Sequence, residues 1–71
     1  MDTVHPVVKR FARNLKRARQ AAALTQTAVA KKARLARPYL VLLEQAKREP
    51  SIVTVVKLAK VLDVPITTLL S

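Results

Sequence analysis

The sequence contains no glycine, no cysteine and no tryptophan, and only four acidic residues. Because cysteine is absent, a disulfide framework and a cysteine-based zinc site are excluded, and a reducing cytoplasm is the compartment that fits. With one histidine, His5, and scattered acids, no nucleophile–base pair or metal cluster can be assembled, so we expect no enzyme, cofactor or metal. The wholly apolar runs, such as Tyr39 to Leu43, are far too short for a signal peptide or a membrane span.

Positive charge is what the chain has in excess. Its 71 residues include 14 Lys and Arg, which give a formal net charge of +10 and a pI near 11.4. Ten of these basic residues lie between Lys9 and Arg37, where there is no acid at all. Such a charge on a small domain favours a polyanionic partner, nucleic acid first and an anionic membrane second. A solvated basic surface without a partner is the alternative.

Length limits the chain to one domain with a small core, which tight helix packing or self-association must support. We expect residues 1–6 to be a disordered lead in which His5 has no role, and residues 7–71 to form the domain. From Val7 onward, apolar residues at alternating steps of three and four predict a first helix. They are Val8, Phe11, Leu15, Ala18 and Ala22.

The rest of this first helix is basic, with Lys9, Arg10, Arg13, Lys16 and Arg17. Three interpretations stay open at this point: a face that contacts phosphates, a face that contacts a membrane, or an ordinary solvated face.

Four further helices are predicted from caps and spacing, which makes the fold class all-α. The second helix spans Thr25 to Ala33 with Thr25 as its N-cap, and the third spans about Arg37 to Gln45 with Pro38 in its first turn. Ser51 caps a fourth helix, and Pro65 starts a short fifth helix that ends in Leu69 and Leu70. The inward residues predicted for the fourth helix are Ile52, Val55, Ala59 and Leu62.

The second and third helices are joined by a turn of three residues, Arg34 to Ala36, which is typical of a helix-turn-helix. Apolar residues at intervals suited to two crossing helices support this, and Ala30 is small enough to let the helices approach. The residues are Val29, Ala30, Ala33, Leu35, Leu40 and Leu43.

The literal residues resemble the lambda-repressor-like (Cro/cI, XRE) helix-turn-helix family, in the form of a small stand-alone member. The resemblance covers about residues 7 to 70 and implies a compact five-helix fold. Arg37-Pro38-Tyr39-Leu40 also looks like the recognition-helix start of restriction–modification controller proteins. The matching residues are Leu24-Thr25-Gln26, Val29-Ala30, Leu40, Leu43-Glu44, Lys47-Arg48-Glu49-Pro50-Ser51 and Leu58 to Val64.

The resemblance implies roles for individual residues. Gln26 would contact a phosphate or a base edge, and Arg37 would donate two hydrogen bonds to a guanine. Tyr39, Lys47 and Arg48 would hold the DNA backbone. The full predicted DNA-binding set is Thr25, Gln26, Ala36, Arg37, Pro38, Tyr39, Val41, Leu42, Lys47 and Arg48. Arg19 and Glu44 match a structural ion pair between the first and third helices.

The sequence departs from the family pattern at three turns, where Arg34, Ala46 and Asp63 replace the usual glycine. A left-handed backbone there costs on the order of 1 kcal/mol per non-glycine residue. Val41 and Leu42 are a second departure, because polar base-reading side chains are common on that face. They are expected to contact thymine methyl groups, to bind a protein, or to be partly buried.

Two functions follow. The first is a homodimeric, sequence-specific regulator that binds double-stranded DNA at a palindromic operator. The second is a protein-interaction module that uses the Val41–Leu42 face. A chain ending at Ser71 leaves no room for a ligand-sensing domain, so we expect no small-molecule ligand, and a membrane role is the most distant reading. The predicted dimer interface comprises Val61, Val64, Ile66, Leu69 and Leu70.

Overall fold

A computed structural model describes residues 4–71, which form five α-helices and, within those residues, no strand. The all-α, five-helix prediction is confirmed. No helix among the described residues is long and apolar enough to cross a membrane. The helices are α1 (Pro6–Ala21), α2 (Gln26–Ala33), α3 (Arg37–Glu44), α4 (Ile52–Leu62) and α5 (Ile66–Leu70).

The chain becomes helical earlier than predicted. Helix α1 begins at Pro6, which lies within the predicted lead, and its missing N–H costs nothing in a first turn. His5 also has a role that sequence reasoning did not assign: it is the N-cap, and its Nδ1 accepts a hydrogen bond of 3.1 Å from the Val7 amide. The predicted lead is therefore wrong at its C-terminal end, and residues 1–3 lie outside the described part of the chain.

The core lies where all five helices meet. Phe11 and Leu15 of α1 pack with Val29 of α2 and with leucines from the other three helices. The side chains of the core that are almost completely shielded from solvent are Phe11, Leu15, Val29, Leu40, Leu43, Leu58 and Leu69.

Two predicted core positions are wrong. Ile52 is 82% exposed, because it is the first residue of α4 and lies at the edge of the arc that Val55, Leu58 and Leu62 bury. Ala22 is exposed because α1 ends at Ala21, so the apolar stripe continues past the helix.

The first four helices end in the same way although the chain has no glycine. Each is followed by a residue with a left-handed backbone, Ala23, Arg34, Ala46 and Asp63, with φ between 55° and 58°. At the last three, the missing glycine left either a left-handed backbone or a reshaped turn open, and the left-handed backbone is observed; Ala23 was missed. A backbone amide one residue further then closes each helix: Leu24 N–H donates to Arg19 C=O at 3.2 Å, and Leu35 N–H donates to Ala30 C=O at 2.8 Å. This is the Schellman arrangement, which satisfies carbonyls that a helix end leaves unpaired.

We expect Ala23→Gly to stabilise the protein by about 1 kcal/mol, because glycine adopts the left-handed backbone without the steric cost of a Cβ atom. The neighbouring Ala21 provides a matched control. It lies in the last turn of α1, so Ala21→Gly should destabilise by about 0.5–1 kcal/mol. Urea unfolding of the two variants would measure both effects, and equal shifts in the same direction would contradict the assignment of strain to Ala23.

Candidate nucleic-acid interface

Helices α2 and α3 form the predicted helix-turn-helix. Thr25 caps α2 through its hydroxyl, which accepts a hydrogen bond of 3.0 Å from the Ala28 amide. Ala30 was predicted to lie where the two helices approach because its side chain is small, and it is only 3% exposed. At the start of α3, Ala36 is the N-cap but has no side-chain oxygen, so no side chain closes that helix end. Pro38 has no backbone N–H in this first turn, and the Tyr39 amide donates to the Ala36 carbonyl at 3.1 Å.

A bidentate ion pair joins the end of α1 to the end of α3. Arg19 Nε donates to Glu44 Oε2 at 2.7 Å, and Arg19 Nη2 donates to Glu44 Oε1 at 3.0 Å. The side chains are only 12% and 3% exposed, respectively. Arg19 Nη1 also donates to the Leu24 carbonyl at 3.0 Å, so the same guanidinium holds the turn before α2. The pair that the resemblance implied is present, and it connects three helices.

The hydrogen bond to Glu44 raises the pKa of the Arg19 guanidinium above its ordinary value, with the Glu44 charge acting in the same direction against partial burial. A raised pKa in the folded state means that the stabilisation is fully present below the unfolded pKa and is lost only as the pH rises through the folded one. Deprotonation of Arg19 therefore does not remove this stabilisation at neutral or moderately alkaline pH.

Gln26 extends this network to the start of α3. Its Nε2 donates to Glu44 Oε1 at 3.2 Å, and its Oε1 accepts from Arg37 Nη2 at 3.5 Å. The buried carboxylate thus fixes the orientation of the Gln26 amide, and that amide lies against the exposed Arg37 side chain. Gln26 was predicted to contact DNA, and here its amide also positions another member of the predicted DNA-binding set.

A second cluster forms where α3 faces the start of α4. The Arg48 guanidinium lies 5.4 Å from the centre of the Tyr39 ring, within the range of a cation–π contact. The Tyr39 hydroxyl is 3.4 Å from Thr54 Oγ1, and Ser51 Oγ donates to the same Thr54 oxygen at 3.0 Å. Sequence reasoning missed Thr54, which is 6% exposed. The only signal for it was its position three residues after the Ser51 cap, where its amide donates to Ser51 Oγ at 3.1 Å.

The predicted base-reading face of α3 divides into two parts. Ala36, Arg37 and Pro38 are exposed, whereas Val41 and Leu42 are half-buried. Partial burial is thus observed for these two apolar residues, and contact with thymine methyl groups or with a protein stays a prediction. Lys47 is exposed just beyond the helix, and its amide donates to the Leu42 carbonyl at 2.9 Å.

The predicted dimer interface needs one correction. Leu69 is completely buried and belongs to the core, because α5 packs against α1. Val61 and Val64 are half-buried and pack against the core. Ile66 and Leu70 are 41% and 40% exposed, so they remain accessible.

Helix α4 adds exposed apolar residues that sequence reasoning did not assign to this surface. Ile52 is 82% exposed and Val53 is 60% exposed. Ile52 lines an open groove together with Ile66 and Leu70, between the start of α1 and helices α4 and α5. We call Ile52, Ile66 and Leu70 the apolar patch.

Comparison with known proteins agrees with this geometry. A family model described as helix-turn-helix matches residues 15–69. The chain belongs to this lambda-repressor-like helix-turn-helix family. Among solved structures, it is similar to the restriction-modification controller protein C.AhdI from Aeromonas hydrophila, with 31% identity and a TM-score of 0.86. The match covers 92% of this chain and 98% of C.AhdI. No curated protein matches significantly.

Family membership shows that the chain is a DNA-binding transcriptional regulator, and the family and the structural match are regulators rather than enzymes. The family match includes the helix-turn-helix itself, because α2 and α3 both lie within the matched residues.

We expect Arg19→Leu and Glu44→Leu each to destabilise the protein by about 3–5 kcal/mol, because each leaves a buried charge without its partner. The double variant should recover most of that loss, since two apolar side chains leave no unpaired charge. Chemical denaturation of the four proteins forms a double-mutant cycle. Additive losses in the double variant would contradict a direct pairing energy between the two side chains.

Proposed function

We propose that this chain acts as a homodimer that binds a palindromic operator through the N-terminal half of α3. The observation that carries the proposal is the contact between Arg37 and Gln26, because it holds the one long basic side chain of the α3 surface at the end that enters a major groove. A guanidinium there can donate two hydrogen bonds to guanine O6 and N7, which discriminates by about 1–3 kcal/mol.

The groups around Arg37 fit contacts with the DNA backbone. Gln26 lies at the first position of α2, where amides and the helix dipole favour a phosphate. On the other side of α3, Arg48 lies over Tyr39, and exposed Lys47 lies next to it in the chain. These groups position a duplex without distinguishing bases, so base discrimination would rest on Arg37 and on the methyl contacts of Val41 and Leu42.

The apolar patch supports self-association. Its three members are large apolar side chains that remain 40–82% exposed on a chain with a net charge of +10. An exposed apolar cluster of this kind marks an interaction surface. A twofold axis through such a patch would give the dimer two copies of α3, and operators of dimeric helix-turn-helix proteins have half-sites about 34–36 Å apart.

We expect Arg37→Ala to relax specificity at one base pair in each half-site, and Lys47→Ala to weaken binding to all sequences alike. Site selection from random duplexes should first yield a twofold-symmetric sequence for the wild-type protein. Affinities for the selected and a shuffled duplex, measured over a salt series, then separate the two variants. Lys47→Ala should reduce the log–log salt slope by about 0.9, the value for one lost phosphate contact. Identical behaviour of both variants would contradict the assigned roles, and weak binding with a flat salt response would contradict DNA binding itself.

We expect Ile66→Ser combined with Leu70→Ser to convert the dimer to a monomer, because both changes remove exposed apolar surface from the apolar patch. Leu42→Ser is the matched control, since it removes a half-buried apolar side chain from α3. Sedimentation equilibrium measures the association state of each variant. If Leu42→Ser dissociates the protein and the paired change does not, the interface lies on α3, and the alternative function as a protein-interaction module on that face gains support.

A further inference from the structure

Helix α1 carries a second basic surface that the operator contact does not use. Arg10, Arg13, Lys16 and Arg17 are all exposed, and we call them the α1 basic face. The opposite side of the same helix is buried through Val8, Phe11, Ala12 and Leu15.

The charge of this face has no compensation within the described chain. No acidic residue lies in α1, and none of the four side chains forms an ion pair with an acid of residues 4–71. These four cations equal two-fifths of the net charge of +10. Basic side chains three or four positions apart on a helix repel each other. Arg13 lies three positions after Arg10 and four before Arg17. The arrangement therefore weakens the isolated helix.

The α1 basic face is separate from the residues proposed to contact the operator. Helix α1 contacts α3 on the side where Arg19 pairs with Glu44, and the α1 basic face lies on the opposite side of the helix from its buried residues. None of the four residues of this face belongs to the set proposed to contact the operator, so a duplex bound through α3 leaves the α1 basic face available to a second phosphate backbone.

We propose that the α1 basic face binds the phosphate backbone of a second DNA segment, so that the protein bridges its operator and neighbouring DNA. This inference rests on the proposed operator binding, which holds the protein where the local concentration of duplex is high. From Arg10 to Arg17 the helix rises about 10 Å. A duplex presents one negative charge about every 1.7 Å along its axis, so several phosphates lie within reach of the four cations. The four cations are assigned to phosphates and not to base edges, so the contact is expected to be independent of sequence.

An anionic membrane fits the same helix less well. Cationic amphipathic helices bind membranes by inserting their apolar side between lipids. In α1 that side is already buried, with Phe11 and Leu15 no more than 1% exposed. Helix α1 can therefore bind a partner through its charge, and duplex DNA has a high linear density of negative charge.

The test tethers a short duplex carrying the selected operator to beads, adds the protein, and measures retention of a labelled second duplex without that operator. The test variant carries Arg10→Gln, Arg13→Gln, Lys16→Gln and Arg17→Gln. The matched control removes four charges elsewhere, by Lys31→Gln, Lys32→Gln, Lys57→Gln and Lys60→Gln. All eight side chains are exposed, and circular dichroism during heating verifies folding. Because the four changes remove repulsion between like charges in α1, the melting temperature of the test variant should equal or exceed that of the wild-type protein.

We expect the wild-type protein and the control variant to retain the second duplex at low salt. The test variant should retain at least tenfold less while its operator affinity stays within twofold of wild type. Equal retention by test and control variants would overturn the proposal, because bridging would then come from other parts of the dimer or from net charge. Preferential retention of labelled single-stranded RNA or of anionic phosphatidylserine vesicles through α1 would overturn it in favour of those partners. If the wild-type protein does not bind the tethered operator, the proposed function is refuted. The proposal for the α1 basic face, which rests on it, is then refuted as well.

Discussion

The buried ion pair between Arg19 and Glu44 is the interaction on which the DNA-binding unit depends. It has three short hydrogen bonds on one guanidinium, and they tie α1 to α3 and to the turn that precedes α2. Buried pairs of this kind add little net stability compared with apolar side chains, because desolvation offsets much of the attraction. The value of this pair lies in orientation: the Glu44 carboxylate also fixes Gln26, and Gln26 lies against Arg37.

The second constraint is the absence of glycine. Four helix ends adopt a left-handed backbone with alanine, arginine or aspartate, which costs stability in a small domain. The Schellman hydrogen bonds and apolar residues just beyond the turns offset that cost: Leu24, Leu35 and Val64 pack against the core. After α3 the corresponding residue is Lys47, which stays exposed. Among the ends of α1 to α4, only the end of α3 has no apolar residue after the left-handed position. This end lies next to the predicted DNA backbone contacts.

The sequence predicted the five helices because caps and apolar spacing are local signals. Thr25 and Ser51 are N-caps, as their hydroxyl groups predict. The pairing of Arg19 with Glu44 was predicted from the family resemblance. What the sequence could not predict depends on which element covers which side chain. Periodicity placed Ile52 inside, and the surplus of apolar residues in the last two helices placed Leu69 in a dimer interface. In the structure α1 covers α5, and within residues 4–71 the first residue of α4 is left exposed.

Two further misses have chemical reasons. His5 is a rare N-cap, so composition alone favoured a tail residue at that position. The link from Tyr39 to Thr54 joins residues of two helices, and no spacing in the sequence predicts such a contact. Within the candidate site, the sequence identified residue types, whereas the hydrogen bonds of Gln26 to both Glu44 and Arg37 required the fold.

The central claim is that the Arg19–Glu44 pair orients the residues that choose a DNA site. The most direct measurement uses the Arg19→Leu, Glu44→Leu double variant, under conditions where it is folded, and compares its affinities for the selected and the shuffled duplex. We expect the ratio of these affinities to fall about tenfold, because Gln26 loses its anchor and Arg37 its support, within the 1–3 kcal/mol of a bidentate arginine–guanine contact. Binding to the shuffled duplex should change little, since the exposed cations remain. An unchanged affinity ratio in the folded double variant would contradict the claim.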